Sequence, residues 1–535
     1  MENIMKEIIK QAPIGMVPAL DAEFEARKNK ILATKSEWTL GEGGTVYYIS
    51  STDGCDDNDG LSEATPFKSC VKINEDGLLK RGDVVLFKRG DRFYTNIKAK
   101  PYVTYSAYGD GNKPMICGSQ DASRPEDWER WGDNPHVYKY TGFIEKNIPN
   151  DEGKFRSIRS DIGNIVFNDG EYYGSRVMKY EDRDVSIHVG NNGLTSNGRE
   201  FWYRGEIKFA DANDLGHNLE FYFDYTTSEL FLFSVYGNPG EVFERIDLCK
   251  KPNIIHGASG ITLDNLCIRY GAAHGLGSGT ANDVTVRNCE VGWIGGGLQF
   301  VNPNGWPTRF GNAIEIYGYT QNYLTYNCYV HQAFDCGPTI QWQGDLEKED
   351  PQWGLKKHNK NIRFYGNAIE RCDSPLEVWI STPTKPTPER FAKLEDIRIY
   401  DNLCRYSGYG FGGFTHQKCD YNMFYGAGAT EAAYEDAYIE NNFMWHIRLF
   451  VHFAVPTSTK QGLGFNWRNN VIIKPYASEF SLLGSDYENA KGWHKLYWYT
   501  NEELERLIDG GAIGENFFYH SMLTEGDRWN GIGKK

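Results

Sequence analysis

Between residues 261 and 472 one pattern of apolar and polar positions keeps returning: ITLDNLCI, VTVRNCEV, YLTYNCYV, IRFYGNAI, IRIYDNLC, AYIENNFM and FNWRNNVI. Apolar residues alternate with others for four positions, a polar residue or glycine stands fifth, and a short apolar step follows. Alternation of period two predicts strands, and the fifth positions (Asn265, Asn288, Asn327, Gly366, Asp401, Asn441 and Asn469) predict tight turns. The shortest interval, 23 residues from Asn265 to Asn288, fits one turn of a β-solenoid, and longer intervals fit the same turn carrying a loop. Stacked turns repeat at about 4.8 Å, so equivalent positions form ladders. The fifth-position amides are expected to face inward and bond the backbone of their own and the next turn.

The pattern is absent from 119–249, where GNIVFNDGEYYGSRV and LEFYFDYTTSELFLFSVYGNPGEVFERIDL read as hairpins. The predicted organisation is a helical segment at 1–40, first β-helix coils at 41–118, an inserted antiparallel β subdomain at 119–249, groove-bearing coils at 250–485 and a helical cap at 486–535. Thr500 and Glu503 form a capping-box pattern in the last of these. Capping of the exposed solenoid ends is the expected task of at least one terminal helix.

The opening YYISSTDGCDDNDGLSEATPFKSCVKINEDGLLKRGDVVLFKRGDRF, together with RFGNAIEIYG and QAFDCGPTIQWQ, resembles bacterial right-handed parallel β-helix carbohydrate-active enzymes of the pectate-lyase-like superfamily. The resemblance implies an all-β, right-handed parallel β-helix. It also implies β-helix glycoside hydrolases of the fucosidase, xylanase or xylosidase type, although the scaffold also carries lyases, epimerases and esterases.

Composition narrows the partners. With 57 basic and 72 acidic residues the formal charge is −15, which repels nucleic acid and polyuronates alike. No apolar run is long enough to span a bilayer, and the first twenty residues lack a secretory apolar block, which predicts a cytoplasmic protein; a chain whose leader had been removed would read the same way. The eleven cysteines are dispersed without CxxC or zinc spacing, so buried free thiols are expected, with Cys289 stacked on Cys328. GDLEKED lacks the pattern of a calcium loop, and no cofactor or metal is expected.

Candidate chemistry follows from where the repeat is interrupted. Insertions at 295–310, 343–360, 380–395 and 413–434 surround one strand of the turns and predict a groove along its outer face. With Ile314, Ile316, Pro338, Ile340, Leu376 and Val378 inside, Glu315, Thr339 and Glu377 look outward as a ladder, while Asp335 and Asp373 each stand four residues earlier, at the turn. A carboxylate pair is what acetal hydrolysis requires: one protonated to assist the leaving oxygen, the other ionised as nucleophile or base. Adjacent turns would set such groups about 5 Å apart, as in retention, and alternate turns about 9–10 Å apart, near the upper end for inversion. The expected order is Asp335 and Glu377, then Glu315, then Asp373.

Trp342, Trp379, Trp353, Trp306 and Tyr409 supply rings for stacking on sugar faces, and His416 and His274 are expected to contact substrate hydroxyls, with Thr339 on the groove floor. The leading expectation is a hydrolase of neutral or weakly charged oligosaccharides, active without nucleic-acid or membrane partners and compatible with a homo-oligomer. A lyase or uronate epimerase would need cations on the strand face, where Glu and Thr repeat instead; a non-catalytic carbohydrate-binding β-helix is the third reading.

Overall fold

The computed structural model describes residues 9–11, 13, 15–178, 211–301, 303, 307–342, 356–380, 391–412, 422–427, 433–446, 449–454, 466–474, 482–485, 496–498 and 517–520. Three long sheets dominate it, of ten, fifteen and ten strands among the described residues. From Thr262–Asp264 to Leu482–Ser485 the described strands visit them in rotation, apart from the hairpin of Gly297–Val301 and Pro307–Phe310. Thr262–Asp264 enters the first sheet, Cys267–Gly271 the second and Leu276–Gly277 the third; the next circuit is Val284–Arg287, Glu290–Ile294 and Ile314–Tyr317. Successive visits pair in parallel, as in Val284–Arg287 on Gln321–Tyr326 and Ile314–Tyr317 on Pro338–Trp342. The all-β class expected from the pattern is what the structure has.

Alternation explains where the core lies. Val286 and Ile399 from the first sheet, Val291 and Ile369 from the second, and Ile316 and Val378 from the third belong to one buried cluster to which all three sheets contribute. Burial of such side chains stabilises by about 1.5–3 kcal/mol each.

Every fifth-position residue of the repeat, from Asn265 to Asn469, has φ between 49° and 66° and turns the chain from the first sheet into the second. The inward amide ladder, however, lies one residue later. Asn367, Asn402, Asn442 and Asn470 are fully buried. Asn402 Nδ2 donates to Asn442 Oδ1 at 2.9 Å, and Asn442 Nδ2 to Asn470 Oδ1 at 2.9 Å. In earlier circuits the same inner position holds Leu266, Cys289 and Cys328, all without solvent exposure. The left-handed residue must spend its side chain at the corner; the following residue points inward, so the expected ladder is displaced by one.

Residues 119–249 contain a five-stranded sheet of Ser175–Val177, Glu220–Asp224, Glu229–Phe233, Val137–Tyr140 and Trp128–Arg130, antiparallel except between its first two strands. Phe221, Phe223, Leu232 and Trp128 give it a core of its own. Ile162–Phe167 and Ile246–Lys250 pair antiparallel with each other in the fifteen-stranded sheet, and their Ile165 and Leu248 pack into the same core as Phe221 and Leu232.

The N-terminal helix, Met16–Leu32, does not close an end of the stack. It lies over the outer face of the second sheet, burying Phe24 and Ile31 against Tyr329, Leu403 and Trp445. Arg405 fixes it there, donating to Asp21 at 2.9 Å, to Glu25, and to Glu370 of the sheet at 2.9 Å. An edge is covered by the preceding strand instead: Ile9–Gln11 pairs in parallel with Phe517–His520. The helix expected around Thr500 and Glu503 lies outside the described residues.

Candidate active site

The third sheet carries a ladder of polar residues on its outer side. Gly277 pairs with Glu315, Glu315 with Thr339, and Thr339 with Glu377. Flanking Ile314, Ile316, Ile340, Leu376 and Val378 all enter the core cluster, so the pleat turns Glu315, Thr339 and Glu377 the other way. The ladder is not the open floor expected of a groove. Glu315, Asp335, Glu377 and Asp373 are 6%, 5%, 1% and 2% exposed, and Thr339 is fully buried.

The ladder's polar atoms are tightly arranged. Thr339 Oγ1 donates to Glu377 Oε2 at 2.5 Å. Gln341, two residues on and therefore on the same face, donates its amide to that same oxygen. Two donors on one oxygen suit an ionised carboxylate, which only accepts.

Glu315 is held differently. His274 Nε2 lies 3.0 Å from Glu315 Oε1, and the Asn312 backbone N–H donates to His274 Nδ1 at 3.0 Å. A ring nitrogen that accepts carries no proton, so the neutral imidazole bears its hydrogen on Nε2 and donates to Glu315. The ring also meets the Phe310 ring edge-on, centroids 5.0 Å apart. Burial brings the imidazole down to about 4 against the opposing pull of Asp335. The Glu315 carboxyl is pushed up to about 8, by burial first and then by the charge of Glu377, with Asp335 adding to it and a side-chain hydrogen bond from Asn312 opposing. Near neutral pH the pair is thus a hydrogen bond between two neutral groups.

Asp335 and Asp373 occupy the corner leading into the third sheet, on adjacent circuits. The Asp335 N–H donates to Gly311 O at 3.2 Å, and its carbonyl accepts the Ser374 N–H at 3.1 Å. Cys336 Sγ lies 3.6 Å from Asp335 Oδ1. The Asp373 N–H donates to Ala333 O at 3.2 Å, and its carbonyl accepts from Ser407 Oγ at 3.2 Å. Tyr409 is buried in the turn following that corner, where its N–H donates to Tyr406 O at 3.2 Å. The backbones of Trp342 and Trp379 lie in Pro338–Trp342 and Leu376–Ile380. Trp306, Trp353 and His416 lie outside the described residues.

The insertion at 295–310 forms an antiparallel hairpin, Gly297–Val301 with Pro307–Phe310, which delivers Phe310 to His274. Its base is drawn in by glycines: a Cβ on Gly311, at φ 143°, would stand 2.1 Å from the Gly295 Cα. The buried Arg176–Asp161 pair, 2.7 Å at both contacts, receives the Leu298 N–H on Asp161, while Arg309 Nε donates to Gly296 O at 2.7 Å. Gln341 and Asn312 were not among the expected site residues. Alternation from Thr339 marks the first; nothing in the sequence marks the second, whose backbone N–H donates to His274 and whose side chain hydrogen-bonds Glu315.

No family model matches this chain. One segment of 134 residues, 23% of the chain, is 35% identical to a lacto-N-biosidase of Bifidobacterium longum subsp. longum. The match spans 8% of that relative's length. Among solved structures, a GH136 lacto-N-biosidase from Eubacterium ramulus aligns with TM-score 0.39 and 12% identity, over 89% of this chain and 68% of that one. A protein described as a glycoside hydrolase aligns with TM-score 0.41 and 10% identity, over 90% and 98% of the two chains.

Proposed function

We propose that this chain is a glycoside hydrolase acting on neutral or weakly charged oligosaccharides, and that its three rotating parallel sheets form a right-handed parallel β-helix of the pectate-lyase-like kind. The observation that carries the reading is the buried ladder itself: Glu315, held by His274, and Glu377, held by Thr339 and Gln341, stand two rungs apart on one face of the third sheet. Burial and the charge of Glu377 push Glu315 towards its protonated form, while two donors hold the Glu377 carboxylate, and such a division of roles is how acid and base are assigned in glycoside hydrolysis. The segment shared with a lacto-N-biosidase supports the same chemistry.

In this reading Glu315 is the general acid, ahead of the place its sequence context gave it. His274 Nε2–H occupies Oε1, so the transferable proton rests on Oε2. Glu377, its Oε2 held by Thr339 and Gln341, is the ionised partner. The two stand two rungs apart, about 9–10 Å between backbones, which matches a water-activating base and an inverting outcome better than direct attack. Asp335 contributes its charge, which favours a protonated Glu315. A lyase would need cations facing the ladder to hold a uronate, whereas Gly277, Glu315, Thr339 and Glu377 present acids and a hydroxyl.

The test is a screen of aryl glycosides and neutral oligosaccharides with NMR of the first-formed anomer. Hydrolysis with inversion, lost in both Glu315→Gln and Glu377→Gln, is the expected result. Ultraviolet absorbance from an unsaturated uronate product, or turnover that survives both substitutions, would overturn it.

A further inference from the structure

A cavity of about 370 Å³ opens on the outer side of the first sheet, at its N-terminal end. It is remote from Glu315. Thr104–Tyr108, on its wall, pairs with Thr262–Asp264, that strand with Val284–Arg287, and that one with Gln321–Tyr326, which immediately follows the Glu315 strand in the chain. Three rungs and a change of sheet separate the two places.

The pleat builds the cavity. Val85 and Phe87 point into the core, so Leu86 between them forms an apolar floor on the outer side. Tyr48 and Tyr108 stand over it edge to face, centroids 5.1 Å apart. Trp38 supplies a third ring, 38% exposed, from a stretch that is neither helix nor strand. That stretch is nevertheless pinned: buried Arg89 donates to Thr34 O and to Asn265 Oδ1, both at 2.9 Å. Asn265 Nδ2 donates to Lys35 O at 2.9 Å, and the Glu37 N–H to Asp264 Oδ2 at 3.0 Å. Three rings therefore converge on one cavity with little ordering left to do on binding.

The polar lining selects the ligand. Glu63 and Asp110 face the space with Lys35 and Arg89, so the charges cancel, and the Arg89 guanidinium is already committed to carbonyl and amide oxygens. This suits neither phosphate nor a uronate. Aromatic faces for C–H stacking, with carboxylates to accept hydroxyl hydrogens, suit a neutral sugar ring. We propose that this cavity is a second, non-catalytic saccharide site that holds one or two neutral sugar residues. The inference stands apart from the hydrolase reading, since it uses no residue of the ladder.

Calorimetric titration of the full chain carrying Glu315→Gln with lactose, cellobiose and N-acetyllactosamine tests it, with galacturonate and inorganic phosphate as anionic probes. At least one neutral disaccharide is expected to bind saturably at this site. Trp38→Ala and, independently, Glu63→Gln should each weaken that event about tenfold; both residues are exposed, so neither change removes core packing. If the ladder also binds sugar, one of two events weakens and the other is unchanged; if the hydrolase reading fails, a single event remains and it weakens in the same way. Binding unchanged in both variants, no binding of any of the three disaccharides, or preference for an anionic probe would overturn the proposal.

Discussion

His274 and Glu315 meet as two neutral groups, Nε2 donating to Oε1 across 3.0 Å. Burial drives both away from charge, the imidazole down to about 4 and the carboxyl up to about 8. The imidazole is therefore a fixed donor through the neutral range, and the proton available for transfer belongs to the carboxyl. A protonated acid is present below its raised value and lost above it. The rate should hold through neutral pH and fall as pH rises through about 8. A pH–rate profile of kcat/KM on an aryl glycoside reads this directly, and a plateau extending past pH 9 would remove Glu315 from the acid role.

The same shift has a cost in stability, with a definite sign. Glu315 binds its proton more tightly folded than unfolded, so between its ordinary value of 4.5 and about 8 the native chain carries more protons and stability declines as pH rises. Glu315→Gln keeps the shape and abolishes the titration. The variant should melt close to the parent at pH 4.5 and several degrees above it at pH 8, while losing turnover, a trade of stability for function. Thermal unfolding at the two pH values measures it; a variant less stable at pH 8 than the parent would contradict the assigned protonation.

Thr339 lies between the two acids and donates to Glu377 at 2.5 Å from a fully buried position. Thr339→Val retains the shape and deletes the donor. Losing one buried hydrogen bond to a carboxylate costs about 1–3 kcal/mol, and with Glu377 as the base that loss should lower kcat about tenfold or more with KM little changed. Thr339→Ser should recover most of the rate. If KM rises and kcat does not fall, Thr339 acts on substrate binding rather than on Glu377.

Period-two alternation made the ladder legible: once Ile314, Ile316, Ile340 and Val378 are inside, Glu315, Thr339 and Glu377 have one face left to occupy. The left-handed corners were legible because Asn, Asp and Gly tolerate positive φ. A second column of positive φ, at Tyr270, Trp293, Gln332, Arg371, Tyr406 and His446, had no such signal, since these types resist that conformation and share no pattern. Burial of the acids was equally hidden. The alternation gives the side of the sheet, not what covers it, and the hairpin that brings Phe310 to His274 depends on pairing across separate segments.

The inner amide column was misplaced by one residue, and its true position makes a sharp prediction. Asn402 Oδ1 accepts the Asn367 N–H at 3.2 Å and Asn367 Nδ2 at 2.9 Å, while Asn402 Nδ2 donates to Phe364 O and Asn442 Oδ1, both at 2.9 Å. Asn402→Ala strands several of these groups in a dry core, a loss of about 2–5 kcal/mol. Asn442 shares the same chain of bonds through Asn470, so the two sites are not independent. The double variant Asn402→Ala/Asn442→Ala should lose less than the sum of the single losses, by about 0.5–3 kcal/mol, because the first deletion already breaks the column. A double-mutant cycle by denaturant unfolding measures the coupling. Strict additivity would mean that each amide serves its own circuit alone, and that the column contributes nothing as a continuous element.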